Sequence, residues 1–252
     1  MPIDGVLPLA PSLDSVGPLG PSVSCCATID AVLAGDPPAP PAPARMAGLR
    51  LGVPANLVCD GMDATVAAAF ERALSVLSAA GARIERVPMP EFDEILAVNA
   101  KGGFAAAEAY AWHRSLLAAK APLYDPRIRM RIERGASMTA ADYLDVLNAR
   151  ARLIASFNVR TRDCDSIIMP TVPIVPPRVA DLEEEREYNR INMLILRNTA
   201  LGNFLDRCAI SLPCHRPGEA PVGLMLMGET MGDARLLRIA AAVEAPLRSA
   251  PR

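Results

Sequence analysis

Two hydrophobic patterns alternate along this chain. One has the three-to-four-residue period of helices and the other consists of short unbroken apolar runs, and together they predict an α/β fold. Over residues 63–80, Val66, Phe70, Ala73, Leu74 and Leu77 share one helical face, and Gly81 closes the segment. The runs 49–54 before it and 82–87 after it read as strands. A strand–helix–strand unit of this length favours a crossover between parallel strands. Residues 22–34 read as a helix capped by Ser22 and closed by Gly35, with Val23, Ala27, Val32 and Leu33 facing the core. The proline-rich connector 36–44 that follows is stiff, extended and confined to the surface.

Residues 91–120 predict one or two helices, with the pair Gly102-Gly103 as the weak point. Pro126 starts a helical stretch carrying Arg127, Arg129, Arg131 and Arg134, and residues 139–162 form a long amphipathic helix that Thr139 can cap. Residues 166–170 are a short buried strand, and prolines make 173–177 irregular. A helix over 183–204 leads to apolar strands at 209–212 and 222–227, joined by a loop at 214–219. The closing helix, 231–244, turns Leu236, Leu237, Ile239, Ala240 and Val243 inward. The expected architecture is a mixed sheet covered by helices.

Composition narrows the function classes. Hydrophobic residues make up 51% of the 252 positions, enough for a sizeable core in one large domain or two small ones. A formal net charge of -2 gives no electrostatic reason to expect a nucleic-acid or anionic-membrane partner. No apolar run approaches the roughly 20 residues of a membrane-spanning helix, and no basic-then-apolar leader is visible, so the expected location is the cytoplasm. The six cysteines, Cys25, Cys26, Cys59, Cys164, Cys208 and Cys214, form no C-x-x-C pair and read as reduced, mostly buried thiols. A zinc site needs clustered ligands, and only His215 among the two histidines, His113 and His215, lies beside a cysteine; no metal is expected.

Five segments carry a resemblance. They are Gly5–Pro18 with its Ser12-Leu13-Asp14 and Gly17-Pro18; the strand 49–54; D-S-I-I-M-P-T at 165–171; N-F-L-D-R-C-A-I-S-L-P-C at 203–214; and P-V-G-L-M-L-M-G at 221–228, followed by Asp233-Ala234-Arg235-Leu236-Leu237. In this order and spacing they resemble the amidase signature family, serine hydrolases that cleave carboxamide C–N bonds without a cofactor. The resemblance implies a Lys–Ser–Ser relay, in which a lysine acting through one serine activates a second, because a serine hydroxyl is a poor nucleophile until a base takes its proton. A glycine-rich loop then supplies N–H donors to the oxyanion. In the family both serines and that loop precede the segment that Gly5–Pro18 resembles. The resemblance therefore implies chemistry upstream of Met1, with residues 1–252 a single partial domain lacking the N-terminal catalytic portion. No Gly/Ser-rich segment or G-x-S-x-G elbow occurs here, and the two lysines, Lys101 and Lys120, fall on predicted helices. No catalytic residue is carried over.

On the substrate side the resemblance implies two positions. In the related glutaminase subunit of the tRNA amidotransferase, an arginine before a glycine binds the substrate carboxylate; Arg131, in R-I-E-R-G, is similar, and a guanidinium forks onto a carboxylate with two hydrogen bonds. Its alternative is a helix-face arginine. That subunit's acidic residue is matched by Leu196, and its N-x-x-G-x-P motif by Asn203 to Cys208, which counts against glutamine as substrate. The N-F-L-D-R-C form is similar to a carboxybiuret-hydrolase-like branch acting on small nitrogen-rich amides. There Asp206 accepts from substrate N–H groups or, alternatively, pairs with Arg207 or Arg197.

The leading expectation is the C-terminal portion of an amidase, inactive alone, whose intact form acts on a small carboxamide. A second is a non-catalytic scaffold or partner module, pairing as a homodimer or with a separate amidase chain; exposed strand edges and apolar faces weigh against a free-standing module. A third is an independent hydrolase with a cysteine nucleophile, for which Cys214 beside His215 is the one pairing available.

Overall fold

The structure, a computed structural model, describes residues 4–249. In chain order the elements are α1 (Val23–Ala34), β1 (Arg50–Pro54), α2 (Ala64–Ala79), β2 (Arg83–Val87), α3 (Pro90–Val98) and α4 (Gly103–Lys120). There follow α5 (Pro126–Glu133), α6 (Ala140–Thr161), β3 (Ser166–Pro170), α7 (Glu185–Phe204), β4 (Ala209–Pro213), β5 (Gly223–Met227) and α8 (Asp233–Ser249). The described chain divides into two units, one of residues 4–17 with 91–156 and one of residues 18–90 with 157–249.

The second unit holds a five-stranded mixed sheet in the order β2-β1-β3-β5-β4. β1 pairs in parallel with β2, as the crossover through α2 allows, and with β3, whereas β5 runs antiparallel to both β3 and β4. β3 is buried at every position, which is why its sequence is a continuous apolar run rather than an alternating one. Leu51, Val53, Ile168, Leu224 and Leu226 from the strands pack with Phe70, Leu77, Leu236 and Val243 from the helices. The Ser22 hydroxyl caps α1 by accepting from Cys25 N–H at 3.1 Å, and Gly35 closes it at φ 84°.

Three local expectations are corrected. Val32 is 62% exposed, so α1 buries only Val23 and Ala27. Leu236, Ile239 and Val243 do line the inner face of α8, but the helix runs past residue 244, through Pro246, to Ser249. None of the six cysteines is fully buried; each is half-buried and free.

The first unit is helical. Gly102 and Gly103 separate α3 from α4 at φ 120° and 58°, a left-handed turn that other residues adopt at a cost. Thr139 and Asp142 form a reciprocal cap on α6. The Asp142 N–H donates to Thr139 Oγ1 at 3.1 Å, and the Thr139 N–H donates to the Asp142 carboxylate at 2.9 Å. The opening segment is held by side chains rather than by a strand ladder. Asp14 accepts from the N–H groups of Leu9 and Ala10, both at 3.0 Å. Ser12 N–H donates to Glu108 at 2.9 Å and its carbonyl accepts from Arg150 at 3.0 Å. Glu108 also accepts from the Tyr143 hydroxyl at 2.8 Å, and the Tyr143 ring stands edge-on to Phe104 at 5.6 Å.

Candidate functional site

Three of the motif segments converge where β3 and β4 end and β5 begins. Thr171 leaves β3, Ser211 lies on β4 and Gly223 opens β5. Thr171 N–H donates to the Gly223 carbonyl at 2.9 Å, which continues the antiparallel register for one more pair. Across it, the hydroxyls of Thr171 and Ser211 are 2.6 Å apart. Only glycine fits between them: a Cβ on Gly223 would lie 2.5 Å from Ser211 Oγ and 2.7 Å from Thr171 Oγ1. The P-V-G of the sequence is thus the condition for this hydroxyl pair.

The pair sits in a groove of about 480 Å³ whose other walls include Val172, Ile174, Ile195 and Val222. Among the described residues, no Asp, Glu, Lys or Arg side chain lines it. His215 also lines it. Such a setting, with one hydroxyl pair able both to donate and to accept among mostly apolar walls, suits an uncharged amide: O–H to the carbonyl, hydroxyl oxygen to the N–H.

Two side chains hold the groove's loops, and the sequence alone assigns neither of them that role. Asp63 caps α2 by accepting from Val66 N–H at 2.7 Å, and its second oxygen accepts from Val175 N–H at 2.7 Å. Asn198, fully buried on α7, donates to the Val58 carbonyl at 3.0 Å and to the Pro170 carbonyl at 2.8 Å. Because the Thr171 N–H bonds to Gly223, Pro170 stands opposite Leu224 at a non-hydrogen-bonded position of the ladder. The missing proline N–H therefore leaves the β5 ladder intact. Arg197 donates to the carbonyls of Val58 and Asp60 at 3.0 and 2.8 Å and to Asn198 Oδ1 at 3.1 Å, and burial lowers its pKa. A polar residue on the inner face of α7 is the one available sequence signal for Asn198.

The cysteine–histidine pairing is unsuited to nucleophilic chemistry. Cys214 has its pKa pushed up to about 11 by burial, and its thiol lies 3.6 Å from the Val222 carbonyl. Val222 N–H donates to His215 Nδ1 at 3.2 Å, so that nitrogen is engaged by the backbone. A protonated thiol beside an occupied imidazole nitrogen is a poor nucleophile. Cys208, likewise raised to about 11 by burial, donates to the Glu229 carbonyl at 3.0 Å. Among the described residues no three His, Cys, Asp or Glu side chains cluster as metal ligands.

The remaining sequence-nominated residues lie elsewhere. Arg131 is half-buried in the last turn of α5, in the first unit. Asp206 is exposed just past α7, in the second unit, before β4 starts, and so at the opposite end of that strand from the groove. Its backbone role is definite. At φ 56° it terminates α7, with Arg207 N–H returning to the Gly202 carbonyl at 3.0 Å, and its own carbonyl accepts from Thr230 at 2.7 Å. The glycine of the N-x-x-G-x-P form is replaced by Asp206 at a left-handed position, which aspartate tolerates better than most residues. Arg207 stacks over Phe157 at 4.9 Å and donates to Asn158. Lys101 is 68% exposed and ion-paired with Asp142, and Lys120 is exposed at the end of α4. No helix among the described residues is long and apolar enough to cross a membrane.

Comparison with known proteins adds three findings. The Amidase family model matches residues 1–237. The chain is 37% identical, over 97% of its length, to 2-amino-5-chloromuconic acid deaminase of Comamonas testosteroni, and 29% identical, over 95%, to a glutamyl-tRNA(Gln) amidotransferase subunit of Natronomonas pharaonis. It spans 54% of the first relative and 64% of the second. A crystal structure of an amidase superposes on 96% of the chain and 55% of its own, with a TM-score of 0.80 at 25% identity.

Proposed function

This chain belongs to the amidase family, and we propose that it forms the C-terminal portion of an amidase for small carboxamides, with the nucleophile supplied by residues outside these 252. The observation that carries this reading is the setting of the two lysines. The Lys–Ser–Ser relay needs a lysine buried beside a serine, yet Lys101 is an exposed partner of Asp142 and Lys120 is exposed at a helix end. The chain is then a scaffold that presents one wall of an amide pocket. The Thr171–Ser211 hydroxyls face the carboxamide, and the apolar groove takes its substituent. Arg131 for a carboxylate and Asp206 for the N–H groups of a nitrogen-rich amide remain separate substrate-side proposals carried by the family resemblance; neither lines this groove. The parent enzyme needs no cofactor and acts in the cytoplasm.

The test is the DNA upstream of Met1. An in-frame Gly/Ser-rich segment with an earlier lysine supports the reading, and so does the same segment interrupted by stop codons or a frameshift. Unrelated sequence with its own promoter at Met1 refutes it. A scaffold module that pairs with a second copy or with a separate amidase chain is the alternative, supported by the relative that is one subunit of an amidotransferase. Purified 1–252 that is monodisperse, melts cooperatively and gains activity only with a second chain would favour it.

A further inference from the structure

At the end of the second unit's sheet opposite the groove, about 17 Å away along the five residues of β3, lies a second concavity of different chemistry. It has a volume of about 310 Å³, a floor of Leu49 and Ile239, and walls that include Arg45, Arg235, Arg238 and Asp165. Three arginines thus line the cleft together with one aspartate. That carboxylate is already committed: Asp165 accepts from Arg50 N–H at 2.9 Å, from the Arg50 guanidinium at 3.3 Å and from Arg235 at 2.9 Å. Burial raises the Asp165 pKa, but the Arg50 hydrogen bonds outweigh it and hold the carboxyl below its usual range.

Two of the arginines are positioned by hydrogen bonds, and none of the three is saturated. Arg235 is held by Asp165 and, at 3.5 Å, by Glu229. Arg238 donates through Nε to the Ala42 carbonyl at 3.1 Å, which leaves both terminal nitrogens without a partner among the described residues. Arg45 has no hydrogen bond or ion pair among them. Unspent forked donors over an apolar floor, in a chain of net charge -2, make a local positive well. We propose that this cleft binds a phosphate group, as the free anion or as a small phosphate monoester. Tetrahedral oxyanions match the guanidinium fork, and the volume admits a phosphate with a short organic arm.

The experiment titrates the 252-residue chain, at fixed ionic strength, with inorganic phosphate, glycerol 3-phosphate, succinate and sodium chloride. Binding is read by calorimetry and by arginine Nε–Hε NMR signals. Phosphate or the ester is expected to saturate and to shift the signals of Arg45 and Arg238, and which of the two binds more tightly identifies the source. Arg45→Ala and Arg238→Ala are each expected to weaken binding about tenfold, because each removes a charge-assisted donor. Arg190→Ala, which alters an exposed arginine on α7 paired with Glu187, is expected to leave it unchanged. The assignment is overturned if no saturable binding occurs, if succinate binds as tightly, if chloride reproduces the effect, or if Arg45→Ala and Arg238→Ala bind like the parent chain.

Discussion

Replacing Asn198 by leucine is the sharpest probe of how the groove is held. The side chain is fully buried and makes three hydrogen bonds, two to carbonyls of residues 28 and 140 positions away. Leucine keeps the branched heavy-atom shape, with a larger volume, and removes all three. The Val58 carbonyl retains Arg197, so it is not orphaned. The Pro170 carbonyl, which the β5 ladder does not serve, loses its donor, at a cost of about 1–3 kcal/mol. Arg197 Nε loses Asn198 Oδ1, which costs about 1 kcal/mol more. The expected loss is therefore about 2–4 kcal/mol. At ~2–4 °C per kcal/mol for a chain of this size, the melting temperature falls by about 4–16 °C. Urea unfolding followed by far-ultraviolet circular dichroism measures the loss directly. A change smaller than about 0.5 kcal/mol, the range of a neutral surface substitution, would refute the claim that Asn198 ties α7 to the end of β3.

Glu108→Ala removes the acceptor shared by the Ser12 N–H and the Tyr143 hydroxyl, and is expected to destabilise the first unit by about 1–3 kcal/mol; fluorescence of the single tryptophan, Trp112 on α4, reports it. Cys214, with its pKa at about 11, is expected to react with iodoacetamide at pH 8 about 100-fold more slowly than an unperturbed cysteine, and to catch up as pH approaches 11. Mass spectrometry of the labelled peptide checks this, and equal rates at pH 8 would contradict the burial that raises it. The Asp142 carboxyl is lowered to about 2 by its hydrogen bonds from Lys101 and then Thr139. A depressed acid stabilises above its unfolded pKa, so this contribution is full above about pH 4 and is lost as pH falls toward 2. Asp142→Asn is expected to flatten that part of the stability–pH curve.

Local features of this fold are legible in the sequence, and long-range ones are not. The buried face of α2, the Ser22 cap, the Gly102-Gly103 break and the parallel β1–β2 pair depend on neighbours a few residues apart or on one crossover. Val32 misleads because apolar character alone does not say which side of α1 is covered. The end of α8 misleads because the apolar face that marks the helix ends near Val243, whereas the helix continues through Pro246 to Ser249. The groove is only partly visible. D-S-I-I-M-P-T, A-I-S-L-P and P-V-G are separately family-like strings. Nothing in their spacing states that Thr171, Ser211 and Gly223 meet, since that requires the β3-β5-β4 register. Asp63 is legible as the start of a helix, but its second oxygen's hold on Val175, 112 residues away, is not.

The central claim is that these 252 residues carry an amidase scaffold without its nucleophile. Ammonia release from a panel of small carboxamides by purified 1–252 tests it most directly. No release above the buffer blank is expected at any substrate concentration. Measurable turnover that a serine-directed fluorophosphonate abolishes would contradict the claim.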